Sequence, residues 1–180
     1  MKYENINSPE ELLKFMDKYI NYGYLGKNGK IHFFTDPDFN DVWYSEYILE
    51  NTDDILKTKV GNCYDQVEFE RDWFLKHNYI VKTYYEIVDL NYDNLYPTHS
   101  FLVYFDKKWK WFENSDFNNR GIHSFDTIEE LLEFQKNKYL ELLESYNLKE
   151  EEKNKIIIKE FKKPKKHLNA KEYIDFVLRK

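Results

Sequence analysis

Hydrophobic and polar positions alternate along this chain with two different periods. After Ser8-Pro9-Glu10-Glu11, the residues Leu12, Leu13, Phe15, Met16, Tyr19 and Ile20 fall at helical spacing. Ser8 suits the cap, Pro9 the first helical position, and Glu11 completes a capping box. The pattern predicts a helix over 8–22 that stops near Gly23. Residues 26–30 read as a turn, 31–34 as a short extended piece, and Asp36-Pro37-Asp38 as another turn. An aromatic helix is predicted over 41–48 and a helical turn over 52–56. Gly61-Asn62 then interrupts the chain. From Cys63 or Tyr64 a helix is predicted to about His77, with Val67, Phe69, Trp73 and Phe74 as its apolar positions. Asp65, Glu68, Glu70, Arg71, Asp72 and Lys76 form its expected wet side.

Beyond Asn78 the period changes to that of strands. Residues 79–90 are β-branched and aromatic, 91–97 form a loop, and 98–105 and 109–114 are two more strands joined by the turn Asp106-Lys107-Lys108. A long helix is predicted from Thr127 to about Leu148, started by Asp126 or Thr127, with an edge strand over 154–161 and a closing helix over 170–178 capped by Asn169. Helices, then a meander, then more helix make an α+β layout, an antiparallel sheet packed against helices. One domain over 1–180 is expected, with its core at about 52–132, the N-terminal helix at 8–22 and an extension at 149–180.

Composition narrows the classes. An apolar fraction of 42%, rich in aromatics, suffices for a packed core, which argues against disorder. The net charge of −6 disfavours phosphate binding, because counterion release needs clustered cations. The basic run at 159–166 reads as a solvated surface segment, so no nucleic-acid partner is expected. No apolar run approaches the roughly 20 residues that span a bilayer, and residues 1–9 lack an apolar leader. A single cysteine allows no intrachain disulfide, and a cytoplasmic location with no membrane partner is the expectation. Abundant Lys, Asn, Ile, Tyr and Phe, whose codons are A/T-rich, suit a bacterium or its virus.

The candidate chemistry starts at Cys63. A thiol at a helix N-terminus meets the positive end of the helix dipole and free N–H groups, which favour its anion. A buried, inert thiol is the competing reading. His99 opens an apolar strand, at the rim of the sheet, where a cleft can form. The other histidines are less well placed: His32 in an extended piece, His77 at a helix C-terminus, His167 in the basic run, and His123 as a group that supports the site from behind. An acid must orient the imidazole. A three-residue turn pairs Phe105 with Trp109 and Phe101 with Glu113, which places Glu113 on the face of His99. A two-residue turn would set Asn114 opposite His99, and Asp116 is the next alternative. Glu113 is preferred because a carboxylate stabilises an imidazolium better than an amide does.

The stretches Val60-Gly61-Asn62-Cys63-Tyr64-Asp65-Gln66, Thr98-His99-Ser100-Phe101-Leu102-Val103-Tyr104 and Lys108-Trp109-Lys110-Trp111-Phe112-Glu113 together resemble the transglutaminase-like superfamily, whose relatives include peptide N-glycanases and arylamine N-acetyltransferases. The shared pattern is Gly-x-Cys, then His-x-aromatic, then a Lys-Trp hairpin leading to an acid. The likeness covers roughly residues 52–117 and, more weakly, 126–132. Glu113 stands where the family's usual acid is Asp, and Tyr64 where its usual residue is Trp. The resemblance implies a Cys63–His99–Glu113 site for acyl transfer on a protein, peptide or small amide substrate; hydrolysis is favoured over amine crosslinking because water is always present and no second-substrate site is readable in the sequence. The Cys63 N–H is the expected oxyanion donor, helped by Gln66 and bordered by Tyr64. Trp43, with Tyr44 and Tyr47, is a candidate lid or a piece of core. No metal and no cofactor is expected, since neither a zinc motif nor a phosphate loop is present. The alternative is an inactive binding module on the same fold, of the kind a virus or host-defence protein uses to hold a protein or a small signalling ligand.

Overall fold

A computed structural model describes residues 2–90, 96–165 and 167–178. The first helix, α1 (Pro9–Tyr19), begins as its sequence predicts. The Ser8 hydroxyl accepts from the Glu11 N–H (3.2 Å), while the Glu11 carboxylate reaches one residue further back, to the Asn7 N–H (2.8 Å). Three short strands follow: β1 (Gly23–Gly26), β2 (Ile31–Phe33) and, after α2 (Phe39–Glu46), β3 (Tyr47–Ile48). They form a small antiparallel sheet in the order β2-β1-β3. Only β2 was foreseeable as an extended piece. β1 and β3 are too short to show a period-two pattern, and β3 replaces the expected end of the aromatic helix.

After α3 (Thr52–Thr58) comes α4 (Cys63–Lys76), then β4 (Ile80–Val88), β5 (His99–Asp106), β6 (Lys108–Glu113) and β7 (Gly121–Phe125). Helix α5 (Ile128–Glu144), β8 (Ile156–Phe161) and α6 (Ala170–Leu178) complete the chain. The main sheet is antiparallel in the order β7-β6-β5-β4-β8, so the segment expected at an edge does lie at one. The unforeseen strand is β7, whose pattern is mixed and half-buried throughout. The hairpin turn is three residues long: Lys107 takes the left-handed region (φ 61°), and Phe105 pairs with Trp109. The expected loop over 91–97 lies outside the described residues at 91–95.

Alternation along the strands splits the sheet's two faces. Tyr85, Leu102, Tyr104 and Phe112 pack with Phe69 and Phe74 of α4 and with Tyr173 of α6. Tyr84, Phe101, Val103 and Trp111 pack with Leu131 of α5. The layout is α+β, with an antiparallel sheet between helices. Among the described residues no helix is long and apolar enough to cross a membrane.

The wet side expected of α4 is mostly dry. Asp65, Glu68, Glu70 and Arg71 are buried, and only Asp72 and Lys76 approach solvent. The helix is central, so its polar face meets protein. Burial of polar groups requires partners, and several are in place. Asp65 accepts from the Tyr47 hydroxyl and the N–H groups of Glu50 and Asn62, and Arg71 pairs with Glu68 at 2.6 Å and bonds Thr83. Burial still pushes the Asp65 carboxyl up to about 7 and that of Glu68 up to about 8. The basic run also departs from expectation in part: Lys159 lies in β8, and Lys163 pairs with Asp72.

Candidate active site

Cys63 is the first residue of α4, and its position is built by the two residues before it. Asn62 caps the helix: its Oδ1 accepts from the N–H groups of Tyr64 (2.9 Å) and Asp65 (3.4 Å), while Asp65 reaches back to the Asn62 N–H (3.0 Å). The cap itself makes no use of the Cys63 N–H. Gly61 lets the chain pass close to this turn, since an added Cβ would stand 3.0 Å from the Asp65 Cβ. The same segment pairs with the chain after α1. The Asn21 N–H donates to Lys59 O (2.8 Å) and the Gly61 N–H to Asn21 O (3.1 Å). That bridge brings Tyr22 alongside Cys63, close enough for phenol and sulfur to interact electrostatically. Burial first, and then the Cys63 sulfur, hold the Tyr22 phenol well above its ordinary range.

His99 opens β5 at the sheet rim and keeps 19% of its side-chain surface open. Its Nε2 meets Glu113 Oε2 at 2.8 Å, and Cys63 is a close electrostatic neighbour of the ring. With Nε2 on the carboxylate, Nδ1 is the nitrogen left for sulfur. Burial opposes charge on the imidazole, but the Glu113 carboxylate and the Cys63 sulfur prevail and hold His99 well above the usual histidine range. Glu113 ends β6 and is 2% exposed. Burial disfavours its charge, yet His99, the Asp116 N–H (2.8 Å) and the Ser115 hydroxyl (2.9 Å) hold its carboxyl below the usual range. Each group therefore favours the charged form of the other.

The alternates to Glu113 go elsewhere. Asn114 Nδ2 donates to Gln66 Oε1 (2.7 Å), and the Asp116 carboxylate takes Asn119 Nδ2 (2.7 Å) and the Lys138 ammonium (3.3 Å). Gln66 differs from expectation. Its Nε2 donates to Gly61 O (2.8 Å), so its amide ties the loop before Cys63 to the end of β6. Tyr64 is buried behind the site. Its hydroxyl hydrogen-bonds the Thr98 hydroxyl (2.6 Å) and the Tyr85 hydroxyl (2.8 Å), which couples the residue after Cys63 to the residue before His99. Trp43 packs edge-on against Tyr64, 5.6 Å between ring centres, and against Tyr47. It packs at the core edge and is not among the residues lining the cleft at His99. His123 sits on Trp111 and bonds Asn119 O (2.8 Å), His77 bonds Trp73 O, and His167 pairs with Asp54.

A cleft of about 750 Å³ opens at His99, between the rim of the sheet and α5, with Tyr22, Glu86, Asp116, Gln135 and Lys138 in its walls. Glu86 is the β4 residue paired with His99 and is 3% exposed. Burial pushes its carboxyl up to about 8. Glu86 Oε1 and Gln135 Nε2 are buried without a hydrogen-bond partner among the described residues. Sequence reasoning missed Tyr22, Glu86 and Gln135. Glu86 carried a signal, as an acid within a run of aromatic and β-branched residues; Tyr22 and Gln135 carried none.

No family model, curated protein or solved structure matches this chain.

Proposed function

We propose that the protein is a cysteine-nucleophile acyl-transfer enzyme that acts on an amide or peptide-like bond, built along transglutaminase-like lines. The observation that carries this reading is one constellation: Cys63 at the start of α4, an electrostatic neighbour of His99, which is itself paired with buried Glu113. A sulfur at that position meets the helix dipole and an N–H outside the cap.

In the proposed reaction His99 holds Cys63 as thiolate, and Glu113 holds the ring with Nδ1 toward sulfur. The thiolate attacks the amide carbonyl, forming a carbon–sulfur bond. The Cys63 N–H supports the oxyanion. As the tetrahedral species collapses, the carbon–nitrogen bond breaks and His99 gives its proton to the leaving amine. Neutral His99 then takes a proton from water, whose oxygen attacks the thioester; the carbon–sulfur bond breaks and releases the carboxylic acid and the Cys63 thiolate beside protonated His99. Water is the favoured acceptor, since the cleft is open to it. The cleft suits an amide: Glu86 Oε1 offers an unpaired acceptor and Gln135 Nε2 an unpaired donor, the complement of N–H and C=O.

A second reading, an inactive binding module, draws on the burial of Cys63, which is 6% exposed with Tyr22 upon it. Iodoacetamide alkylation separates the two, because the chain has one thiol. Fast alkylation near pH 6 that is lost in His99→Ala supports the enzyme. Slow alkylation in both proteins, rising only near the free-thiol value of about 8.5, overturns it and favours the binding module.

A further inference from the structure

We propose that His32, Asp36 and Asp38 bind one divalent transition-metal ion, at a site separate from the cleft at His99. One ring nitrogen of His32 and one carboxylate oxygen each of Asp36 and Asp38 lie within 4.8 Å of one another. Two atoms bound to one such ion at about 2.1 Å stand at most roughly 4.2 Å apart, so only small side-chain movements close the set.

The independent observation is His32 itself. Its ring is buried, 3% exposed, and neither nitrogen has a hydrogen-bond partner among the described residues. A buried imidazole ordinarily donates through one nitrogen and accepts at the other. The ring is held flat on Tyr24, 4.9 Å between centres and 12° between planes, so its direction is set by packing. The carboxylates also have capacity to spare. Asp38 occupies the N-cap position of α2, yet its side chain makes no cap hydrogen bond. Asp36 uses Oδ2 on the Phe33 N–H (2.9 Å), which leaves its other oxygen. Both carboxylates are half-buried, so water can complete the coordination. Pro37 between them stiffens the turn that presents them.

One imidazole and two carboxylates form a borderline nitrogen–oxygen set. It suits Zn²⁺ or Mn²⁺ better than Ca²⁺, which wants six or more oxygens, or a thiolate-seeking ion. The sequence pattern predicts no metal, because a single histidine ahead of an Asp-Pro-Asp turn resembles any polar hairpin end. The site would fix β2 to the start of α2. It would also stiffen Phe34 and Phe39, which pack on Tyr22 with ring centres at 5.7 and 6.3 Å.

The test is calorimetric titration of the full chain with ZnCl₂ and with MnCl₂, alongside thermal melting. Cys63→Ser, His32→Gln and Asp38→Asn are titrated in parallel. The expected result is one equivalent bound by wild type and by Cys63→Ser, with affinity at least tenfold weaker in His32→Gln and Asp38→Asn. Wild type should melt about 5–10 °C higher at a hundredfold excess over Kd. His32→Gln alters a buried ring and can lose its fold. Asp38→Asn, a half-buried surface change, then decides the matter. Absence of binding overturns the proposal. So does binding that survives Asp38→Asn, or that disappears in Cys63→Ser.

Discussion

Replacing Glu113 with Gln tests the site at its least replaceable contact. Three groups point at this carboxylate, His99 Nε2, the Ser115 hydroxyl and the Asp116 N–H, and each acts as a donor. A carboxamide has nearly the same shape, but it must aim its own NH₂ at one of them. If its oxygen stays on Ser115 and Asp116, the NH₂ faces His99 and favours the neutral ring with its proton on Nδ1. That proton then points at sulfur, and no base remains for the thiol. The lost interaction is a hydrogen bond between charged groups, about 1.5–3 kcal/mol. At 1.36 kcal/mol per tenfold, this is roughly a 10- to 150-fold loss of the thiolate–imidazolium form. Iodoacetamide alkylation near pH 6 should slow in Glu113→Gln by that factor. Its pH profile should move upward by about one to two units, while circular dichroism reports an intact fold. An unchanged rate near pH 6 would refute the assignment of Glu113 as the group that charges and orients His99.

Three further outcomes follow from the same contacts. Glu86 has a folded value of about 8 against an ordinary 4.5. Its protonated form therefore supports the fold below 4.5, and that support is lost as pH rises through 8. Denaturant midpoints from pH 5 to 9 should fall less in Glu86→Gln than in wild type, the two being alike at the acid end and the variant ahead at the alkaline end by about 1–5 kcal/mol. A shallower slope, not a flat one, is expected, because Glu50 and Glu68 are likewise raised to about 8. Asn62→Ala removes the α4 cap and should cost about 1 kcal/mol, read as a melting temperature lower by about 2–4 °C. Tyr64→Phe leaves the Thr98 and Tyr85 hydroxyls without their shared partner, and chemical denaturation should show a loss of about 1–3 kcal/mol.

Local signals carried the helix starts well. Ser8 and Asn169 cap as the sequence suggests, Thr127 rather than Asp126 caps α5, and Asn62, read only as a break in the chain, caps α4; each places a side-chain oxygen on an N–H of the first turn, a contact between near neighbours. The hairpin between β5 and β6 was readable down to two registers, and the three-residue turn that forms is the one that puts Glu113 beside His99. The wet face assigned to α4 failed for a reason of the same kind. Periodicity separates polar from apolar positions, but it does not say whether the polar side meets water or Tyr47, Glu50 and Thr83.

The sequence by itself thus carried the parts of the site that depend on spacing within one element or one hairpin: a helix that starts at Cys63 or Tyr64, and a hairpin that brings Glu113, or Asn114 in the other register, to His99. Only the tertiary structure decided what stands around them. Tyr22 reaches the thiol through a backbone bridge between residues 21 and 59–61, Glu86 through pairing of β4 with β5, and Gln135 through the packing of α5 across the rim. His32, Asp36 and Asp38 lie within six residues of one another, yet it is the packing of β2 on Tyr24 that buries the ring and leaves its nitrogens unpaired. Such contacts are set by how whole elements pack to bury their apolar faces, a global balance that no short window of sequence contains.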